Sequence, residues 1–168
     1  TSSIHVPPAT RRFMKALSAV LGAAIIARGK SSLDEIAYYV KRGGFRSFVV
    51  VYSKHRLPSM LRFYLLTDEG YFMRYGYLLL GGVEINIGKR AFVGCRLHRV
   101  GKNEASRRLW DFIMGLFYWD TCERWPGPIC DGFISDRDEN AVMEFCLRRK
   151  VLLRMLIRRV VREDSRPS

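Results

Sequence analysis

Long apolar runs, paired cysteines and phosphate-binding glycine loops are all missing from this sequence, and each absence removes a class of function. The longest apolar stretch, Leu21 to Ala27, falls far short of the ~20 residues that a membrane-spanning helix needs. No charged-then-apolar leader opens the chain at Thr1, so secretion is not expected. The 4 cysteines, Cys95, Cys122, Cys130 and Cys146, include no Cys-x-x-Cys pair, and the 3 histidines are scattered. Neither a disulfide framework nor a metal site is therefore expected. Buried thiols in a reducing cytoplasm are the expectation, or in the nucleolus if the source is eukaryotic.

Catalytic signatures are lacking too. Gly29-Lys30-Ser31 resembles the end of a P-loop, but Ala24 stands where the first glycine belongs. Gly88-Lys89 has Val83 at that glycine position and Arg90 where a magnesium-binding Ser or Thr is required. There is no Gly-x-Gly-x-x-Gly after a strand, no His-Glu-x-x-His and no Gly-x-Ser-x-Gly. Asp34 and Glu35 suit the first turn of a helix, where the dipole favours negative charge. Asp136, Asp138 and Glu139 read as a solvated turn, with a dispersed acidic triad of a magnesium-dependent nuclease as the enzymatic alternative. His98 reads as a core or edge histidine. The expectation is a non-enzymatic protein with no cofactor, no metal and no small-molecule substrate.

What the chain has in excess is positive charge. It carries 29 Lys and Arg against 16 Asp and Glu, a net charge of +13 and a pI near 10.1, together with 48% hydrophobic residues. The apolar content predicts a folded core. The charge opposes compaction by self-repulsion and so points to a polyanionic partner. RNA fits better than a membrane surface, given the short apolar runs.

The periodicity predicts an α/β chain. Phe13, Leu17, Val20 and Leu21 recur at helical spacing, so Pro8 to Leu21 is a predicted helix. Ala24 to Ala27 is a predicted buried strand. Ser32 and Glu35 form a capping-box pattern for a second helix through Val40, ended by Gly43-Gly44. Phe48 to Tyr52 reads as a strand covered on both faces. Met60 to Leu66 and Tyr71 to Leu80 form a predicted hairpin around Thr67–Gly70, and Val83, Ile85 and Ile87 a separate short strand. Gly88-Lys89-Arg90 is the predicted seam between halves 1–90 and 91–168. Beyond it, Phe92 to His98 is a predicted strand, and Asn103 caps a helix whose apolar face is Leu109, Phe112, Ile113, Leu116 and Phe117. Thr121 to Pro128 reads as a loop. Ile129 to Ser135, Ala141 to Leu147 and Val151 to Val161 are predicted strands, the last also fitting a helical period. Ala9-Thr10-Arg11-Arg12-Phe13-Met14 matches Ala105-Ser106-Arg107-Arg108-Leu109-Trp110 in residue type throughout. That match suggests an internal duplication, with coincidence as the alternative.

The basic residues gather at predicted element ends. Arg11 and Arg12 stand in the first turn of a helix, where cations are disfavoured unless an anion completes the site. Arg28 and Lys30 flank Gly29 just before the second helix, and helices of an α/β sheet that begin at one edge bring such clusters together. A solvated face is the alternative for Arg11 and Arg12. Arg107 and Arg108 are weaker candidates, since Glu104 stands four residues before Arg108 and is placed to pair with it. Lys54 and Arg56 follow the Phe48 strand. Arg148, Arg149, Lys150, Arg154, Arg158, Arg159 and Arg162 form the densest run, with no acids interspersed. Tyr38, Tyr75, Trp119 and Trp125 are candidates for base stacking, with packing as the alternative.

Pro8 to Leu66 resembles the Brix domain family of ribosome-assembly factors. The residues that carry the resemblance are Thr10-Arg11-Arg12-Phe13, Ala27-Arg28-Gly29-Lys30-Ser31-Ser32-Leu33-Asp34-Glu35-Ile36, Phe48-Val49-Val50-Val51, Pro58 and Leu61-Arg62-Phe63-Tyr64. Their order looks like that of the short archaeal members related to the small-subunit processome branch. Gly82-Val83 and the late helix followed by strands extend the likeness. Ile4-His5-Val6-Pro7-Pro8 departs from the family's Thr-Ser-Arg-x-Pro and lacks its basic residue. The resemblance implies one Brix-like domain over 1–168, made of two similar α/β halves related to the anticodon-binding domain of class II aminoacyl-tRNA synthetases. It further implies binding to rRNA or pre-ribosomal RNA during assembly, alongside ribosomal or assembly proteins, without enzymatic activity. The rival expectations are a protein-interaction module and a tRNA-binding domain of the anticodon type.

Overall fold

Pro8 occupies the first helical position, where a missing N–H has no consequence, and α1 runs Pro8–Leu21. Thr10, Phe13, Ala16, Leu17 and Val20 are its buried stripe, and Gly22 at φ 62° ends it. The structure is a computed structural model and describes residues 6–26, 31–88, 94–116 and 129–163. Residues 23–26 form no strand, and Ile25 and Ile26 are 46% and 41% exposed. The predicted buried strand at Ala24 is thus corrected. An apolar run becomes a strand only when a neighbour's backbone faces it, and no described strand does. Ala27 lies outside the described residues.

Helix α2 (Leu33–Arg42) starts in the expected capping box. The Glu35 amide donates to Ser32 Oγ at 3.1 Å, and the Ser32 amide to Glu35 Oε2 at 2.9 Å. Acids in its first turn and Lys41 and Arg42 in its last suit the dipole.

Strands β1 (Ser47–Lys54), β2 (Leu57–Leu66) and β3 (Phe72–Ile85) form an antiparallel meander. Strand β4 (Gly94–Arg99) leads to helix α3 (Glu104–Leu116), followed by a second meander of β5 (Ile129–Arg137), β6 (Asn140–Leu147) and β7 (Lys150–Arg162). The meanders join edge to edge through antiparallel β3 and β7, giving one sheet of order β1-β2-β3-β7-β6-β5-β4. Only β4 and β5 are parallel among the described pairs. The fold is α/β as expected.

Two expectations on the strands are revised, and a third, that the last segment is a strand, is met. β1 is an edge strand with half-buried residues rather than one covered on both faces. Val83 and Ile85 belong to β3 itself, because register shifts near Gly81 and Gly82 absorb an irregularity without breaking the strand. The last segment is strand rather than helix: β7 pairs on both sides, and Leu153, Met155 and Ile157 alternate into the core. Phe92 of the predicted β4 and the loop from Thr121 to Pro128 lie outside the described residues.

One apolar core draws on α1, α3 and both meanders, including Phe13 and Val20 of α1, Leu109 and Phe112 of α3, and Leu61, Phe145 and Leu153 of the sheet. Each such buried side chain contributes about 1.5–3 kcal/mol. A tight point is Gly76, whose φ is 155°. A Cβ built there lies 2.2 Å from the Val161 carbonyl oxygen and 2.7 Å from the Phe112 ring. Phe112 rests on this bare backbone between Phe63 and Tyr75, with ring centroids 5.4 and 4.9 Å away. The Tyr75 hydroxyl donates to the Phe112 carbonyl at 3.1 Å. Helix α3 of the second half is thereby locked onto β3 of the first. Gly76→Ala is expected to lower unfolding stability by about 2–5 kcal/mol, through overpacking and an unfavourable φ. Urea denaturation checks this as an earlier midpoint with an unchanged m-value.

Candidate nucleic-acid interface

The strand registers give the sheet two chemically different ends. Lys54 pairs with Leu57, and Leu147 with Lys150, so the tips of β1–β2 and β6–β7 each hold two residues, His55-Arg56 and Arg148-Arg149. Following the antiparallel pairings through β2, β3 and β7 places both tips at the end of the sheet where β3 finishes at Ile85. The opposite end carries the β2–β3 turn with Asp68 and Glu69 and the β5–β6 turn with Asp138 and Glu139.

Both basic tips have positive φ at both residues: 51° and 65° at His55 and Arg56, 48° and 66° at Arg148 and Arg149. Such two-residue loops match the twist of the flanking strands but favour Asn-Gly. A residue with a Cβ costs about 1–2 kcal/mol there. Lys54, His55, Arg56, Arg148, Arg149 and Lys150 are all exposed. None of their side chains makes a hydrogen bond or ion pair to another described residue.

Helix α1 begins at this same end, since Arg12 Nη2 donates to the Ile85 carbonyl at 3.2 Å. Arg11 and Arg12 are exposed, the first turn has no acid, and no side chain caps it. The Thr10 hydroxyl is buried without a hydrogen-bond partner among the described residues.

The matching start of α3 is built differently. Asn103 Oδ1 accepts from the Ser106 amide at 2.8 Å. The Asp136 carboxylate accepts from the Lys102 amide at 2.7 Å and the Asn103 amide at 3.2 Å. Asp136 is therefore an internal anion at a helix N-terminus, which revises the reading of its cluster as a purely solvated turn. The Lys102 amide, with the Ser106 hydroxyl and Asn103 amide, holds its carboxyl below the usual range. Glu104 pairs with Arg108 as expected, and with Arg107 as well, and those guanidiniums hold its carboxyl low. One helix start is neutralised from within the chain; the other presents cations and no acid.

The C-terminal basic run divides into four groups. Arg148, Arg149 and Lys150 form the exposed tip. Arg154 is paired with Glu144 of β6 and, at 2.7 Å, with Glu84 of β3. The absence of acids from the run had made Arg154 a candidate phosphate contact; the register corrects this by supplying carboxylates from both neighbouring strands. Arg158 and Arg159 are exposed on β7, with Arg158 lying over Gly81. Arg162 sits over the Tyr75 ring at 5.2 Å. Arg28 and Lys30 lie outside the described residues.

Among the aromatic candidates, Tyr38 is exposed and Tyr75 is buried in the core. Trp119 and Trp125 lie outside the described residues. Tyr39, Phe45 and Tyr71 are also exposed; periodicity missed them, and the flanking Gly43-Gly44 and Gly70 are the only local signal of turns. His98 is a half-buried edge-strand histidine, stacked on Phe133 with ring centroids 5.2 Å apart and 3.5 Å from Asp131. Cys95, Cys130 and Cys146 are buried, and Cys122 lies outside the described residues. No described helix is long and apolar enough to cross a membrane. No described cluster of His, Cys, Asp and Glu is arranged to hold a metal ion.

In fold, the chain is similar to the crystal structure of a probable ribosomal biogenesis protein from Aeropyrum pernix K1. The TM-score is 0.76 at 18% sequence identity, covering 95% of each chain. No protein-family model matches the sequence, and no curated protein does.

The bound state of Asp136 has a pH signature. Its folded pKa is depressed, so its stabilising contribution is present above the ordinary aspartate value near 3.9 and is lost as pH falls through the folded value. Asp136→Asn is expected to melt below the wild type at pH 7, and the gap to close as acidification carries Asp136 through its lowered folded pKa. Thermal melts across that range check it.

Proposed function

We propose that this chain is a non-enzymatic RNA-binding factor of ribosome biogenesis, a Brix-type protein that binds rRNA during subunit assembly and pre-rRNA processing. The observation that carries the reading is the gathering of unneutralised cations at one end of the sheet. Arg11 and Arg12 at the uncapped start of α1 join Lys54-His55-Arg56 and Arg148-Arg149-Lys150 there, while Arg107, Arg108 and Arg154 are answered by acids of the chain itself. Two further supports are the resemblance of Pro8 to Leu66 to the Brix family and the fold shared with a probable ribosomal biogenesis protein.

Guanidinium forks and open helix N–H groups suit phosphate oxygens. Binding one RNA conformation more tightly than its competitors stabilises that conformation by mass action, which requires no nucleotide, metal or covalent step. Contacts of this kind position the protein on the RNA backbone without reading sequence. Arg28 and Lys30 belong to the proposed contact set by sequence.

Counterion release gives the test. Log affinity for an rRNA fragment is expected to fall with log salt by about 0.7–0.9 for every phosphate contact. Arg11→Glu with Arg12→Glu is expected to flatten that slope by about 1.4–1.8. A flat titration of the wild-type protein rejects RNA binding. Capture of a protein partner that survives loss of RNA affinity favours the interaction-module reading, and preferential crosslinking to tRNA favours the anticodon-type one.

A further inference from the structure

We infer that the two basic hairpin tips are a two-point grip on the RNA phosphate backbone, kept in place against the conformational preference of their own turns. The inference rests on the RNA-binding reading and names a device within it. All five non-glycine residues of positive φ among those described lie at hairpin tips, and four of them are His55, Arg56, Arg148 and Arg149. A turn with both central residues left-handed selects Asn-Gly, and the chain does place glycine where such backbone is needed, as at Gly70 with φ 87°. Neither basic tip holds a glycine or an asparagine.

The strain has no compensation inside the molecule. The four side chains are exposed and make no hydrogen bond or ion pair to another described residue, so the turns would be more stable with other residues. Strain that folding does not use points to function, and the function must suit the groups presented. Guanidinium, imidazole and the flanking Lys54 and Lys150 ammonium groups donate to anionic oxygen. A two-residue loop between paired strands also aims them rigidly. The tips lie three strand spacings apart in the order β1-β2-β3-β7-β6, about 14 Å along the sheet. They therefore touch separate phosphates, and the second contact forms as an intramolecular event once the first is made.

Replacing the tip residues by what the backbone prefers separates stability from binding. Arg148→Asn with Arg149→Gly is expected to raise Tm by about 2–4 °C. The same variant should weaken rRNA-fragment binding about tenfold near 0.1 M salt and flatten the salt slope by about 1.4–1.8. His55→Asn with Arg56→Gly is expected to act in the same two directions. The same replacement at the opposite end, Asp138→Asn with Glu139→Gly, should leave RNA affinity undiminished. Arg148→Gln with Arg149→Gln, which keeps the strained turn, should lose affinity without gaining Tm. Wild-type affinity and slope in the glutamine variant, or an equal loss from the Asp138-Glu139 replacement, overturns the grip while leaving RNA binding intact. A wild-type protein with no salt-dependent RNA binding overturns the functional reading itself.

Discussion

The antiparallel pairing of β3 with β7 is the contact on which the rest of the molecule depends. Each meander alone is a three-stranded sheet with exposed edges, and the pairing buries the inner edge of both at once. It also sets the direction of every other strand. Because β3 and β7 run opposite ways, the β1–β2 and β6–β7 tips come to the same end, and the start of α1 joins them there. A parallel join would have sent one basic tip to each end. Helices α1 and α3 secure the pairing, α3 reaching across the seam to rest Phe112 on Gly76, and Cys130 of β5 donating to the Val20 carbonyl at the far end of α1.

Charge is distributed by the same geometry. A surplus of cations destabilises a compact chain unless acids are brought beside them or an external anion is bound. This molecule does the first at α3, where Glu104 and Asp136 serve the helix start, and at the sheet centre, where Arg154 lies between Glu84 and Glu144. Arg62 similarly meets Glu163 at 3.3 Å. It does not do so at the end that holds Arg11, Arg56, Arg148 and Arg149. Two hexapeptides that match in residue type therefore have opposite electrostatic settings, and the difference comes from the strands beside them.

Much of the architecture was legible in local sequence because local physics determines it. The Ser32 and Glu35 capping box, the proline start of α1 and the Asn103 cap are each decided within a few residues. The resemblance to the Brix family and the charge surplus pointed to RNA on the same local footing. Readings failed where a non-local partner decides. The apolar residues at Ala24 to Ile26 have no strand beside them, β1 lies at an edge, and β3 continues through Gly81 and Gly82 because β7 supplies a ladder for it.

From the sequence alone came the element types, the surplus of cations, the want of catalytic motifs and the list of basic residues to suspect. Composition and short-range periodicity carry all of these. Only the tertiary structure decided which cations are already answered and which are not, since Glu84 and Glu144 are distant from Arg154 along the chain and adjacent to it across the sheet. It also decided that His55-Arg56 and Arg148-Arg149 share one end of the molecule with left-handed backbone, a consequence of strand register that no local pattern encodes.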